Sequence, residues 1–183
     1  MNVQLLELFL DNLILIRDKL STIMFQIEYF NKEKMSSKEI FFEKLDAFFE
    51  DAPRGYNYAI ETRNKNYPCD DFFSLLKKHS LGFVFLDGYY MPPVSWVYES
   101  FNTATTDYAV IRLHGTDRTG IETKTGKIWD KIVEEHDDGL KTVAGIVKEN
   151  KMRKITTYVN VIPSCVQTGK VLHRMAKLTS RIV

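Results

Sequence analysis

Tyr108-Ala109-Val110-Ile111-Arg112-Leu113-His114-Gly115 is apolar as far as Ile111 and then places two cationic side chains and a glycine at its end. Side chains along a strand alternate between faces, so Tyr108, Val110, Arg112 and His114 share one face and Ala109, Ile111 and Leu113 the other. The second face suits packing against helices. The first becomes polar only at its carboxyl end, which is where parallel α/β proteins assemble their sites. A parallel sheet with chemistry at the strand ends is the expectation that organises everything else.

The same pattern recurs on both sides of that strand. Thr22–Glu28 alternates so that Ile23, Phe25 and Ile27 face one way, with Gln26 and Glu28 the other; Phe30 follows. Asn57–Arg63 puts Ala59, Glu61 and Arg63 on one face and Tyr58, Ile60 and Thr62 on the other. Leu81–Asp87 is nearly continuously apolar, as expected where helices cover a sheet, and ends in Asp87-Gly88. Lys154–Ile162 is the last strand, with Thr156, Tyr158 and Asn160 on one face.

Between these strands lie helical patterns. Residues 3–20 read as one amphipathic helix. Ser36 or Ser37 caps the next, with Glu39 placed as the acidic member of a capping box ahead of Ile40, Phe41, Leu45, Phe48 and Phe49. Asp70 or Asp71 starts a helix that buries Phe72, Phe73, Leu75 and Leu76, with His79 near its end as a cationic cap. Residues 89–98, with Pro92 and Pro93, read as a loop that roofs a site. Helical pattern returns at 128–135 and 140–148, and residues 169–182 form a closing helix. Strands separated by helical crossovers require a parallel sheet, so the fold class is α/β, with about five parallel strands alternating with helices. The 183 residues, 44% hydrophobic, fit a single domain, 1–183.

Composition excludes several functions. Lys and Arg total 25 against 24 for Asp and Glu, a formal charge of +1, so no strong global field recruits nucleic acid or an anionic membrane. A local patch that meets nucleic acid stays open. Cys69 and Cys165 belong to no CxxC or Cys/His cluster and read as reduced packing thiols. Charged residues interrupt the apolar N-terminal stretch before it reaches the roughly 18 residues of a membrane span, and no secretory leader pattern precedes it. The cytoplasm is therefore the expected compartment.

Glu61-Thr62-Arg63, Asp87, Arg112-Leu113-His114-Gly115 and Asn160 follow one another at spacings that resemble the YecE-like family, the domain of unknown function numbered seventy-two, whose members form TIM-type barrels. Phe25-Gln26 resembles the family's segment at the fourth barrel strand. The Glu-x-Arg resembles the fifth, Asp87 the acid after the sixth, the Arg-x-His-Gly the seventh, and Asn160 the first asparagine of the eighth. Ser21, Glu28, Tyr67 and Val161 depart from the family's preferences. The resemblance implies a partial TIM-type barrel that starts near the fourth strand and lacks the first three strand–helix units of a fold that closes eight strands in about 250 residues.

Gln26, Glu61, Arg63, Asp87, Arg112, His114 and Asn160 are the candidate site residues. Glu61, Asp87 and His114 have the chemistry of acids and bases; Gln26, Arg63, Arg112 and Asn160 have that of substrate binding. Three uses of the set are open: an oxyanion held by Arg63 and Arg112, proton transfer by Glu61 or Asp87 with His114, or a metal on those three. Anion binding is favoured, because two arginines oppose a divalent cation. The expected ligand is a phosphate-bearing or otherwise anionic small molecule, with hydrolysis of a phosphorylated or nucleic-acid-derived substrate as the reaction. The residues leave the cofactor open. The competing expectation is a catalytically inactive relative that acts as a partner subunit or is a gene fragment. Either way, unpaired strand edges predict self-association or pairing with a separately encoded N-terminal part. Trp96, Trp129 and the tyrosines around Tyr89 read as packing residues, His136 as part of a solvated helix junction, and His173 as a residue of the last helix.

Overall fold

The computed structural model of the chain describes residues 1–88, 90–115, 122–124, 126, 141–145 and 154–158, of which 113–115 and 154–158 are described through their backbone. The element order is α1 (Val3–Asn12), a 3-10 helix (Ile14–Lys19), β1 (Ile23–Gln26), α2 (Lys38–Asp51), β2 (Tyr58–Glu61), α3 (Asp70–Lys78), β3 (Gly82–Gly88), α4 (Val94–Ser100), β4 (Tyr108–Gly115) and β5 (Lys154–Tyr158). Residues 122–124 and 141–145 are also helical. The strands form one sheet in sequence order, β1-β2-β3-β4-β5, and every neighbouring pair is parallel. This is an open, partial barrel-type sheet. Among the described residues no helix is long and apolar enough to cross a membrane.

Alternation divides the sheet into two faces. Ile60, Phe83, Phe85, Ala109 and Ile111 join the large core beneath the helices, with Ile23, Phe25 and Ile27 packed on it. Ala59, Val84 and Val110, with Met24, form a separate small cluster on the other face. Aromatic rings tie helices to strands: Phe25 meets Phe48, Phe49 and Tyr58 edge-on at 5.4–5.7 Å, and Phe73 meets Phe83 at 5.0 Å. Phe83 and Phe85 are therefore helix-side core, and among the described residues the apolar cluster on the other face is small.

Local chemistry sets the element ends and corrects several expectations. The single helix over 3–20 is instead α1 followed by a 3-10 segment. Leu13 leaves the helical region (φ −98°, ψ 0°), its N–H shared between the Asp11 and Leu10 carbonyls. Leu13-Ile14-Leu15-Ile16 puts apolar side chains on every side, so no stripe continues, and only Leu6 and Leu10 of α1 are buried. Ser37, not Ser36, caps α2, accepting from Ile40 N–H at 3.3 Å. Glu39 then falls at the second helical position, where its own backbone N–H and the Ser37 side chain hold its carboxyl below the usual range. The expected loop at 89–98 contains α4, because Val94 and Val97, three apart, bury one face and Pro93 precedes the first turn.

The last strand is described only at 154–158. The expected helices over 128–135 and 169–182, and Asn160, Cys165, Trp129, His136 and His173, lie outside the described residues; 141–145 falls within the helix expected at 140–148, with Val143 and Ala144 buried.

Candidate functional site

β1 and β2 run side by side with Gln26 opposite Glu61, and β3 and β4 with Leu86 opposite Arg112. These four positions follow Met24, Ala59, Val84 and Val110 by two residues, so they continue the inner face toward the carboxyl ends of the strands. Arg112 uses its length to reach over β3. It stands two strand spacings, about 10 Å, from β2, and its Nη1 donates to Glu61 Oε2 and, at 3.1 Å, to Gln26 Oε1 on β1. Arg63, just past the end of β2, donates from Nε to the other Glu61 oxygen at 3.2 Å. One carboxylate thus holds two guanidinium groups.

Burial makes that arrangement consequential. Glu61 is fully buried and the Arg112 side chain is 8% exposed, whereas Arg63 is 23% exposed and Gln26 lies open. An isolated charge at such depth is costly, and ionic hydrogen bonds to both carboxylate oxygens offset the cost. The three ions sum to one positive charge, which favours an anion arriving from the side of Arg63 and Gln26. The segments beyond the strands are fixed by Asn64. Its side chain accepts from Phe30 N–H at 2.9 Å and donates to Phe30 C=O at 2.8 Å, standing in for a strand neighbour where the ladder has ended.

Tyr108 closes the lower end of this face. Its hydroxyl donates to the Tyr58 carbonyl at 2.7 Å, and a methyl group at Gly82 would meet its ring at 2.6 Å. Burial pushes the Tyr108 phenol up to about 12. Burial likewise raises Tyr58 to about 12.

Of the residues expected at the site, Gln26, Glu61, Arg63 and Arg112 come together in one network. Asp87 is the penultimate residue of β3, half-buried, opposite Leu113 and just before a register shift. Its parity with Phe83 and Phe85 puts it on the helix side of the sheet rather than the Arg112 face. His114 lies in β4, with its side chain outside the description, and Asn160 lies outside the described residues.

A second polar cluster went unread in the sequence. Lys78 Nζ lies 2.7 and 3.0 Å from the two Asp46 oxygens and 2.8 Å from Glu50, and His79 Nε2 lies 2.6 Å from Asp46 Oδ1. His79 thus does more than cap α3: its side chain is buried and paired to α2. Lys78 is the main reason both carboxyls titrate below their usual range. Asp46, Glu50 and His79 are the described donors that a metal ion could bridge, but the Lys78 ammonium already lies between the two carboxylates. The cluster also joins the end of α2 to the end of α3, just ahead of β2 and β3, and so belongs to the edge of the sheet opposite Glu61. The Asp46/Glu50 spacing of one helical turn was its sequence signal.

Comparison with known proteins places the fold. A DUF72 family protein of Thermotoga maritima superposes with a TM-score of 0.62 at 21% identity, over 95% of this chain and 64% of that one. A DUF72 family protein of Enterococcus faecalis does so at 0.59 and 14% identity, over 98% of this chain and 66% of that one. The chain therefore spans less than two thirds of either relative, and at these identities the likeness carries the fold alone. No curated protein matches. The family model described as "Protein of unknown function DUF72" matches residues 2–181, and with nearly every residue inside it the chain belongs to the DUF72 family.

Proposed function

We propose that the carboxyl-end network binds an oxyanion, a phosphate or a carboxylate, through Arg63 and Arg112. The observation that carries this reading is two guanidinium groups on one buried carboxylate, with Arg63 reaching solvent. Glu61 then acts as a positioning residue, since both its oxygens are committed to the arginines and neither is placed to exchange a proton with a ligand. Hydrolysis of a phosphorylated or nucleic-acid-derived substrate would fall to His114 as acid or base, with Gln26 and Asn160 contributing polar contacts; Asp87, whose parity turns it to the helix side, is left out of this arrangement.

Calorimetric titration with inorganic phosphate tests the anion site. Arg63→Ala is expected to weaken binding by about ten-fold or more, the scale of a charge-assisted hydrogen bond, while Lys44→Ala on the exposed face of α2 leaves it unchanged. Equal affinities in the two variants would end this reading. A second reading, a subunit that associates through its surface, is favoured by the apolar side chains exposed on α1 and the segment after it, among them Leu5, Leu8 and Leu15.

A further inference from the structure

We propose that Tyr90 is a stacking face for the ring of a nucleoside phosphate whose phosphate group is held by Arg63 and Arg112. The inference rests on the anion-site reading and adds the ligand class to it.

Among the described residues, two that are not glycine occupy the left-handed region of backbone space, Ser80 (φ 55°) and Tyr90 (φ 50°). Ser80 has a structural reason to be there. It follows α3, and the bonds Ser80 N–H to Lys77 C=O and Leu81 N–H to Leu76 C=O at 2.8 Å close the helix over it. Tyr90 ends no helix. It sits in a turn whose Met91 N–H reaches the Gly88 carbonyl at 3.3 Å, a place where glycine or asparagine costs least and a bulky ring most.

Packing does not compensate for that conformation. Tyr90 is 89% exposed, and no hydrogen bond or ring contact holds its side chain among the described residues. The chain on its far side is anchored: Val94 and Val97 are buried, and Met91, Pro92, Val94 and Val97 close over Phe83–Leu86. The backbone thus presents an exposed aromatic ring from a left-handed position whose following chain is anchored, a combination in which local strain points to a ligand rather than to the core.

Its place in the fold supplies the ligand. Gly88 stands two residues, about 7 Å, beyond the level at which Leu86 faces Arg112. The turn therefore leaves the sheet at the same carboxyl edge at which Arg63 and Arg112 stand. Phenol rings stack on planar bases irrespective of base identity, whereas a sugar phosphate offers no such face.

Calorimetry with three ligands, inorganic phosphate, ribose 5-phosphate and adenosine monophosphate, separates the two claims. In the unaltered protein adenosine monophosphate is expected to bind about five- to a hundred-fold more tightly than ribose 5-phosphate. Tyr90→Gly, which relaxes the backbone and melts no lower than the parent, is expected to erase that difference and keep the affinity for phosphate; Tyr90→Phe is expected to keep both. Equal binding of the two organic phosphates, or a preference that survives in Tyr90→Gly, overturns the stacking role while leaving the anion site standing. Failure of all three ligands to bind overturns both.

Discussion

Glu61 is where a single substitution separates a working network from a cost. Removing its carboxylate leaves Arg112, almost fully buried, without an anion, and breaking a buried pair in this way costs about 3–5 kcal/mol. Glu61→Ala is therefore expected to lower the unfolding free energy by that amount in urea titration. Glu61→Gln, which keeps an acceptor but no charge, is expected to fall between. A loss below about 1 kcal/mol in Glu61→Ala would mean that solvent reaches the pair far more than its burial allows. Tyr58 and Tyr108 supply a pH signature of the opposite sign from an acid-labile carboxylate. Both phenols titrate near 12 in the folded chain, above the value of about 10 in an unfolded one. The folded state therefore holds their protons more tightly, so their contribution is complete below pH 10 and is lost as pH rises from 10 toward 12. Phenolate absorbance is expected to show Tyr58 and Tyr108 titrating late, with Tyr67 also held above the ordinary value by burial, and Tyr108→Phe is expected to remove one of the late phenols. Gln26, Glu61 and Arg112 were legible because period-two alternation is a local property of the chain. Asp87 also stands near a strand end, but its parity with Phe83 and Phe85 turns it to the helix side. The partner of His79, Asp46, lies in another helix, and no local pattern reports it.

At the scale of elements, the five strands and their parallel order could be read from apolar runs spaced by helical crossovers, because those features answer to burial alone. Their ends could not: the ladder stops at Gln26 and Glu61 where turn chemistry takes over, as at Asn64. Residues 3–20 and 89–98 misled for related reasons. Four consecutive apolar residues starting at Leu13 satisfy any helical stripe on paper, and two prolines conceal a two-turn helix that begins immediately after them. The pairing of β2, β3 and β4 depends on Gly82 in a way that only coordinates reveal, since the Tyr108 ring occupies the space a methyl group would need. Gly82→Ala is expected to cost about 1–3 kcal/mol, the usual penalty for overpacking. In a double-mutant cycle, Tyr108→Leu is expected to cancel part of that penalty by withdrawing the ring. Strict additivity of the two changes, measured by thermal and urea denaturation, would show that the ring does not cover Gly82.

The whole molecule leaves a large apolar surface in water. Met1, Leu5, Leu8, Phe9, Ile14, Leu15 and Ile16 are all exposed, Leu15 at 95%, and they crowd into one short stretch of chain that leads directly into β1. β1 is itself an end of the sheet, with β2 as its partner among the described residues. Scattered exposed leucines are ordinary, but seven large apolar side chains exposed along one short stretch that leads into a strand at the end of the described sheet favour association, and the solved relatives extend over a further third of chain beyond the part this one matches. We therefore expect the purified chain to associate in a concentration-dependent way, with copies of itself when nothing else is supplied. Leu5→Glu and Leu15→Lys are the variants to make, because both side chains are exposed and neither belongs to the core, so folding survives the change. Light scattering across a range of micromolar concentrations should give a mass that rises with concentration for the parent chain and stays near that of the monomer, 21.3 kDa, for the double variant. If the parent also stays monomeric and melts cooperatively across that range, α1 and the 3-10 segment shield the sheet edge by themselves, and the surface has no need of a partner.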